Sequence, residues 1–321
     1  MIYVLLQNER RDCMRKFLIC SKGFIEAEES NKDCWINVVC PDAEDFKYLT
    51  DVIGVPESFL NDISDVDERP RTDLEDGWLL TIIRIPIISK IRDTPFVTVP
   101  LGVISRKDII ISVCYYETEM IPDFILFSQR KNIEIRNESD LILRFFLSSA
   151  VWFLKYLKQI NNQIIKAQKE FNSSIRNEDL LSLMKLDQSL VFFNTSIRGN
   201  EVVMSKLRTI FREPKYIDMD LLEDVETETR QAHNTVNIYT DILNSTMNAL
   251  GSIISNNVNT IMKRMTSVSL ILMIPTLIAS LYGMNVRNHF EQVTNGFTIV
   301  CFFALGLSAL AFIILKKIRW F

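Results

Sequence analysis

Histidine is nearly absent: His233 and His289 are the only two in 321 residues. A zinc centre built on imidazoles is therefore not expected. The six cysteines (Cys13, Cys20, Cys34, Cys40, Cys114, Cys301) form no CxxC pair, which removes the usual thiolate-zinc and dithiol patterns. Five of them fall in the part assigned below to the cytosol, where thiols stay reduced. There is no Gly-rich phosphate loop, nucleophile elbow or metalloprotease motif, so a membrane-anchored enzyme finds no support. Asp65-Val66-Asp67-Glu68 shares part of a calcium loop but lacks its glycine and terminal glutamate, and reads as a solvated turn. A net charge of −4 is the wrong sign for nucleic acid and suits cations. Residues 1–7 lack a basic leader, so no signal peptide is expected.

Charge is also missing near the end of the chain. Residues 265–286 and 292–315 contain no Asp, Glu, Lys or Arg. Each run can cross a hydrocarbon core of roughly 30 Å as a helix. Only Arg287, Asn288, His289, Phe290 and Glu291 lie between them, which predicts a tight hairpin. Lys263 and Arg264 precede the first run, and Lys316, Lys317 and Arg319 follow the second. The positive-inside rule then puts both ends in the cytoplasm and the loop outside. Trp320 and Phe321 suit an interfacial anchor. A hairpin that merely tethers a soluble unit would satisfy the same hydropathy.

Residues 1–125 read as a mixed α/β domain, with strands predicted at 1–7, 35–40, 78–86, 97–104 and 109–115. Helix starts are predicted at Pro41-Asp42 and Val55-Pro56-Glu57. From about Glu138 apolar residues recur at helical spacing. Gly199 and Pro214 are the only glycine and proline between Asp123 and Gly251. Residues 126–264 are therefore expected to form a helical region, and 265–321 the transmembrane hairpin with its basic tail. The apolar run 141–157 is interrupted by Arg144 and Lys155, so it predicts a buried helix and not a third span. A single helix is expected from about Lys215 to Met284, roughly 100 Å long. Such a helix needs neighbours along its length, which argues for an oligomer.

Alternating steps of three and four along the first span give Asn259, Met262, Thr266, Ser269, Met273, Thr276 and Ser280. Every one is polar or a methionine, while the rest of the span is mainly aliphatic. Hydroxyls in hydrocarbon need a partner or water. Two readings fit: a small-residue helix–helix interface, or a pore wall that is wet at the hydroxyls and narrow at the methionines. The near-3.5 period suits helices around a common axis. Pro275, mid-span, marks a functional bend or a tolerated kink. The second span carries Phe297, Phe302, Phe303 and Phe312 and few hydroxyls, as an outer, lipid-facing ring would.

The first span ends in Tyr282-Gly283-Met284-Asn285. With the hairpin and basic tail, this resembles the CorA family of divalent-cation (magnesium) transporters, whose hallmark is Gly-Met-Asn at that location. Residues 256–266, Leu221-Leu222-Glu223-Asp224-Val225, Glu68-Arg69-Pro70-Arg71 and Pro100-Leu101-Gly102-Val103-Ile104 also look like family segments, so the likeness spans the chain. It implies an α+β fold: a cytoplasmic mixed α/β domain and a very long stalk helix continuing into the first of two C-terminal transmembrane helices. It also implies assembly as a homopentameric, funnel-like channel in the plasma membrane.

The resemblance further implies passive, potential-driven influx of Mg²⁺, with Co²⁺ or Ni²⁺ as other cargo, and no organic cofactor. Gly283, Met284 and Asn285 would meet the hydrated ion at the outer mouth; as a plain residue pattern, Asn285 also fits a helix C-cap. Regulatory cytoplasmic Mg²⁺ would sit between neighbouring subunits at Asp62 and Asp224, residues that otherwise read as surface carboxylates. The outer loop departs from the family pattern: it lacks a proline, and only Glu291 supplies an acid. A zinc-transporting sister branch shares the architecture, and a membrane-tethered scaffold is the reading from a different class.

Overall fold

The computed structural model describes residues 15–19, 23–27, 34–107, 109–170, 177–211, 217–284, 295–318 and 320. By contacts the chain divides into two compact units, Met1–Asn244 and Ser245–Phe321.

Among the described residues the first unit is built on a seven-stranded sheet. Its strands are β1 (Arg15–Ile19), β2 (Ile25–Ala27), β3 (Cys34–Val39), β4 (Arg71–Glu75), β5 (Trp78–Ile88), β6 (Phe96–Arg106) and β7 (Ile109–Cys114), in the order β2-β1-β3-β7-β6-β5-β4. Every pairing is antiparallel except β3 with β7. The central strands are the ones legible as apolar runs. In β5 and β6 every residue but the last is buried, as expected of strands covered on both faces. The expected strand at 1–7 lies outside the described residues. Strands β1, β2 and β4 were not expected: each is short, lies at or near a sheet edge and carries charge.

Two prolines explain the outline of the sheet. Strand β4 pairs with β5 only up to Ile82, and β7 pairs with β6 only from Gly102. Pro86 and Pro100 both fall in the two-stranded overhang that remains. A residue without a backbone donor is tolerated where no third strand asks for one. At Arg84, opposite Pro100, a side chain replaces the missing strand. Asn200 accepts from the Arg84 N–H and donates to its carbonyl, both at 2.8 Å.

Helices cover both faces. On one lie α1 (Ala43–Lys47), a π-helical turn Tyr48–Ile53, and α2 (Glu57–Ser64). Asp42 caps α1 by accepting from Glu44 and Asp45. Leu49, Phe59, Leu60 and Ile63 pack there on Ile36, Val38, Trp78 and Ile104. The other face receives α3 (Met120–Lys131), α4 (Glu138–Glu170) and α5 (Asn177–Ile210). Trp35, the neighbour of Ile36 and so on the opposite face, meets Phe24, Phe124 and Phe145 with ring centroids 4.9–6.0 Å apart. Helix α4 carries the apolar run 141–157 as a buried helix. Leu183, Leu186, Leu190, Phe193 and Ile197 form a buried seam on α5.

Helix α6 runs from Met219 to Tyr282, 64 residues. It starts later than expected because Asp218 caps it, accepting from Asp220 and Leu221. In the first unit its buried residues Leu222, Val225, Thr229, Ala232, Val236 and Leu243 keep the heptad-like spacing of a packed seam. The second unit holds the rest of α6 and α7 (Gly296–Lys317). Both helices are long and apolar enough to cross a membrane.

Candidate ion path and regulatory acids

Within the second unit the described part of α6 has two faces. Ser267 is fully buried, and Ile271, Ile274, Pro275, Ile278 and Tyr282 are half-buried. At about 100° per residue these six share one side of the helix. Asn259, Met262, Thr266, Ser269, Met273, Thr276 and Ser280 are all exposed, and they centre roughly 180° away. The polar and methionine stripe therefore stands on the face that its own chain leaves open. Met262 and Met273 are 58% and 62% exposed.

Thr276 shows what a hydroxyl does in that stripe. It donates to the Leu272 carbonyl at 2.8 Å. Its proton is spent on the backbone, so its lone pairs remain as acceptors, the polarity a cation's hydration shell requires. Pro275 supplies no donor to the Ile271 carbonyl one turn earlier, on the half-buried side of the helix.

The helix ends at Tyr282. The Gly283 N–H still donates to the Ala279 carbonyl at 2.9 Å, and Met284 donates to Leu281 at 3.4 Å. A side chain at Gly283 would place Cβ 3.2 Å from the Ala279 oxygen, a tight contact with the last turn. Gly283 and Met284 are exposed; Asn285 and Glu291 lie outside the described residues. On α7, Gly296, Ala304 and Ser308 are buried, whereas Phe297, Phe302, Phe303 and Phe312 are exposed.

Asp62 sits on α2 among ion pairs. Arg71 reaches Asp62 and Asp73, each at 2.5 Å, and also Glu68. Burial alone would lower the Arg71 pKa. The Asp73 hydrogen bond and the charges of Glu68, Asp62 and Asp73 outweigh burial and hold it above its ordinary value. Asp62 thus already has a cationic partner within its own chain.

The surrounding loop is tightly fixed. Buried Arg84 donates to the Val66 and Glu68 carbonyls at 2.7 and 2.8 Å, and burial lowers its pKa. Asp65-Val66-Asp67-Glu68 is indeed a turn: the Asp67 N–H donates to the Asp65 side chain and the Glu68 N–H to the Asp65 carbonyl. Pro70 rests on Gly199, where a Cβ would come within 2.7 Å. Ile63, next to Asp62, fills the space over Gly102.

Asp224 is exposed on α6. In its acidic run Asp218 is used as a cap, and Glu226 pairs with Arg208 at 3.5 Å. Among the described residues no group of three His, Cys, Asp or Glu could hold a metal within one chain. The structure therefore aligns the stripe on one helix face and leaves Asp62 and Asp224 in separate surroundings. Sequence reasoning missed Arg84 and Asn200. A lone arginine inside the apolar run Trp78–Ile88 was the available signal: a buried charge has to be fully hydrogen-bonded.

Comparisons with known proteins agree with this layout. The sequence model of the family described as "CorA-like Mg2+ transporter protein" matches residues 30–317. The cobalt/magnesium transport protein CorA of Methanocaldococcus jannaschii is 22% identical over 260 residues, covering 78% of this chain and 79% of that protein. The complete structure of the CorA magnesium transporter from the same organism superposes with a TM-score of 0.82 at 20% identity, covering 96% of this chain and 99% of that one. The cytoplasmic domain of ZntB from Vibrio parahaemolyticus gives a TM-score of 0.59 at 12% identity, covering 76% of this chain and 98% of that one. At these identities the structural likenesses speak for the fold alone.

Proposed function

This chain belongs to the CorA-like Mg2+ transporter family, and on that premise we propose that it conducts Mg²⁺ into the cell through a pore lined by α6 from five copies. The family's members are transporters rather than enzymes. The reading rests above all on the stripe from Asn259 to Ser280, which stays on the uncovered face of α6 and leads to Gly283. A polar face on a candidate membrane span calls for water or a partner helix. Copies of α6 around one axis supply both, and α7 with its exposed phenylalanines forms the outer ring.

At the mouth, Mg²⁺ keeps most of its waters because it dehydrates reluctantly. Gly283 and Asn285 present neutral carbonyl and amide groups to that shell, and the helix C-terminus adds negative partial charge. The methionines at 262 and 273 offer no good ligand and close the path by excluding water. Entry is driven by the membrane potential: about 2.3 kcal/mol per charge per 100 mV, and twice that for a divalent ion.

Regulatory Mg²⁺ bridges Asp62 of one copy and Asp224 of the next. The donors are hard carboxylates, as this ion prefers, and their small number keeps affinity low. Arg71 balances Asp62 when the ion leaves, so exposed Asp224 is the charge that most needs it. Loss of the bridge frees the copies to separate and biases the gate.

Flux in proteoliposomes is the test. Mg²⁺ uptake that follows an imposed diffusion potential, without ATP, supports the reading. Uptake that follows ATP overturns it, and flux of Zn²⁺ with none of Mg²⁺ moves the chain to the zinc branch.

A further inference from the structure

The parallel strands β3 and β7 create a crevice in the first unit. After β3 the chain turns onto the face of Ile36 and Val38; after β7 it turns onto the face of Trp35. Neighbouring parallel strands whose chains depart to opposite faces leave a gap beyond their carboxyl ends, the usual place for a ligand in such sheets. A cavity of about 930 Å³ opens there, bounded by Val39 at the end of β3 and Cys40 after it, Tyr115 and Tyr116 after β7, and Ile121 and Ile125 of α3. Its size suits a small organic molecule. Cys40 turns the chain at its edge with φ 51°, a left-handed conformation that a non-glycine residue adopts only at a cost.

The decisive group is Asn37, which is 4% exposed and lines the cavity. The Trp35 indole N–H donates to the Ser112 hydroxyl at 2.8 Å, and that hydroxyl donates to Asn37 Oδ1 at 2.8 Å. The indole can only donate, and the serine proton goes to Oδ1, which turns Nδ2 away from Ser112. Oδ1 is taken by Ser112, no other side-chain bond to Asn37 occurs among the described residues, and the amide lines the cavity. Lys16 lines the same cavity and is the direct cross-strand neighbour of Asn37. Such neighbours on one face stand about 5 Å apart at Cβ. An ammonium and an amide NH₂ thus converge and ask for an anionic acceptor.

The remaining walls are largely aliphatic and aromatic, including Ile87, Leu126 and Tyr156. Three acids occur at the opening. Glu117 is engaged by Lys90 at 2.6 Å, Glu119 lies beside the Tyr156 hydroxyl, and Glu26 is exposed on β2. The interior end therefore offers donors, and the body offers apolar surface. We propose that this cavity binds a small amphipathic carboxylate, with its acid group on Asn37 Nδ2 and Lys16 and its apolar body between Ile87, Ile121 and the tyrosines.

The test uses the full-length protein in lipid nanodiscs and three probes with one body and different heads: 4-phenylbutyrate, 4-phenylbutanol and 4-phenylbutylamine. Binding is followed by saturation-transfer NMR and calorimetry, with empty discs subtracted. The carboxylate should bind at least about tenfold tighter than the other two. Asn37→Asp keeps the acceptor for Ser112 but replaces the donors by negative charge; Lys16→Glu, at a half-exposed position, reverses the other charge. Each should weaken the carboxylate about tenfold or more, and Ile125→Trp should fill the site and abolish binding. Equal or better binding of the amine, no saturable binding at millimolar concentration, or carboxylate binding that Lys16→Glu leaves unchanged would each overturn the proposal. Because the readout is binding and not flux, it stands apart from the transport reading.

Discussion

Gly102→Ala adds one methyl group beneath the helix that carries Asp62. An ideal Cβ there would lie 2.1 Å from Ile63 Cδ1, 2.5 Å from Cγ1 and 3.4 Å from Cγ2. Carbon atoms in contact sit about 3.5–4.0 Å apart, so Ile63 must retreat by roughly 1.5 Å. Ile63 is fully buried, with Phe59 and Leu60 beside it, and close-packed cores do not yield that distance freely. Overpacking of this kind costs about 1–3 kcal/mol. For a unit of this size that is a fall of roughly 2–12 °C in apparent Tm. Ile63→Ala alone should cost about 2–5 kcal/mol by leaving a cavity. In the double variant the new methyl occupies that cavity, so Gly102→Ala should become neutral or stabilising in the Ile63→Ala background. Differential scanning fluorimetry of the purified full-length protein, at one protein and detergent concentration, measures all four corners of the cycle. If Gly102→Ala costs the same in both backgrounds, Ile63 is not what the glycine makes room for.

Asp62→Ala combined with Asp224→Ala should abolish protection by Mg²⁺ in limited proteolysis, and unchanged protection would remove both from the sensor. Met262→Gly or Met273→Gly should raise basal Mg²⁺ leak in proteoliposomes; unchanged conductance in both would favour a helix–helix interface. Asn285→Ala should abolish uptake while leaving the oligomer intact by native electrophoresis, and full transport would reduce Asn285 to a cap. Burial pushes the Cys114 thiol up to about 12 from 9.0, partly offset by a hydrogen bond with the Tyr116 backbone. The folded state then holds a proton that the unfolded chain gives up, so stability should fall as pH rises from about 9 towards 12. Cys114→Ala should flatten that fall in alkaline melts.

The parts of this protein with one dominant physical signal were legible in the sequence. Uncharged runs marked α7 and the end of α6, and continuous apolar runs marked β3, β5, β6 and β7. The stripe on α6 was readable because helical geometry alone decides which residues share a face. What stayed hidden depends on partners distant in sequence. Strands such as Arg71–Glu75 bury none of their residues, so they carry no apolar pattern. Asn200 acts as a strand for Arg84 across 116 residues, and nothing local announces it. Gly102 looked like a family letter, and Gly199 like a stray glycine in a helical stretch, until Ile63 and Pro70 appeared above them. Asp62 was singled out through a family resemblance, but its pairing with Arg71 was not foreseen, because that contact depends on how a loop folds back.

The overhang of β5 and β6 has a consequence for how this chain survives its own synthesis. Ile83, Ile85 and Ile87 form an apolar strand whose outer edge, past the end of β4, would otherwise invite pairing with another chain. Pro86 removes one donor from that edge. Arg84 still presents its N–H until α5 arrives with Asn200, while its carbonyl also accepts from Ser149 of α4 at 3.2 Å. Between emergence of the sheet and docking of α5 the nascent protein is exposed to strand-to-strand aggregation, and a single carboxamide ends that interval. Asn200→Ala should therefore shift the protein towards insoluble aggregates during expression to a greater degree than it lowers the thermal stability of the molecules that do fold.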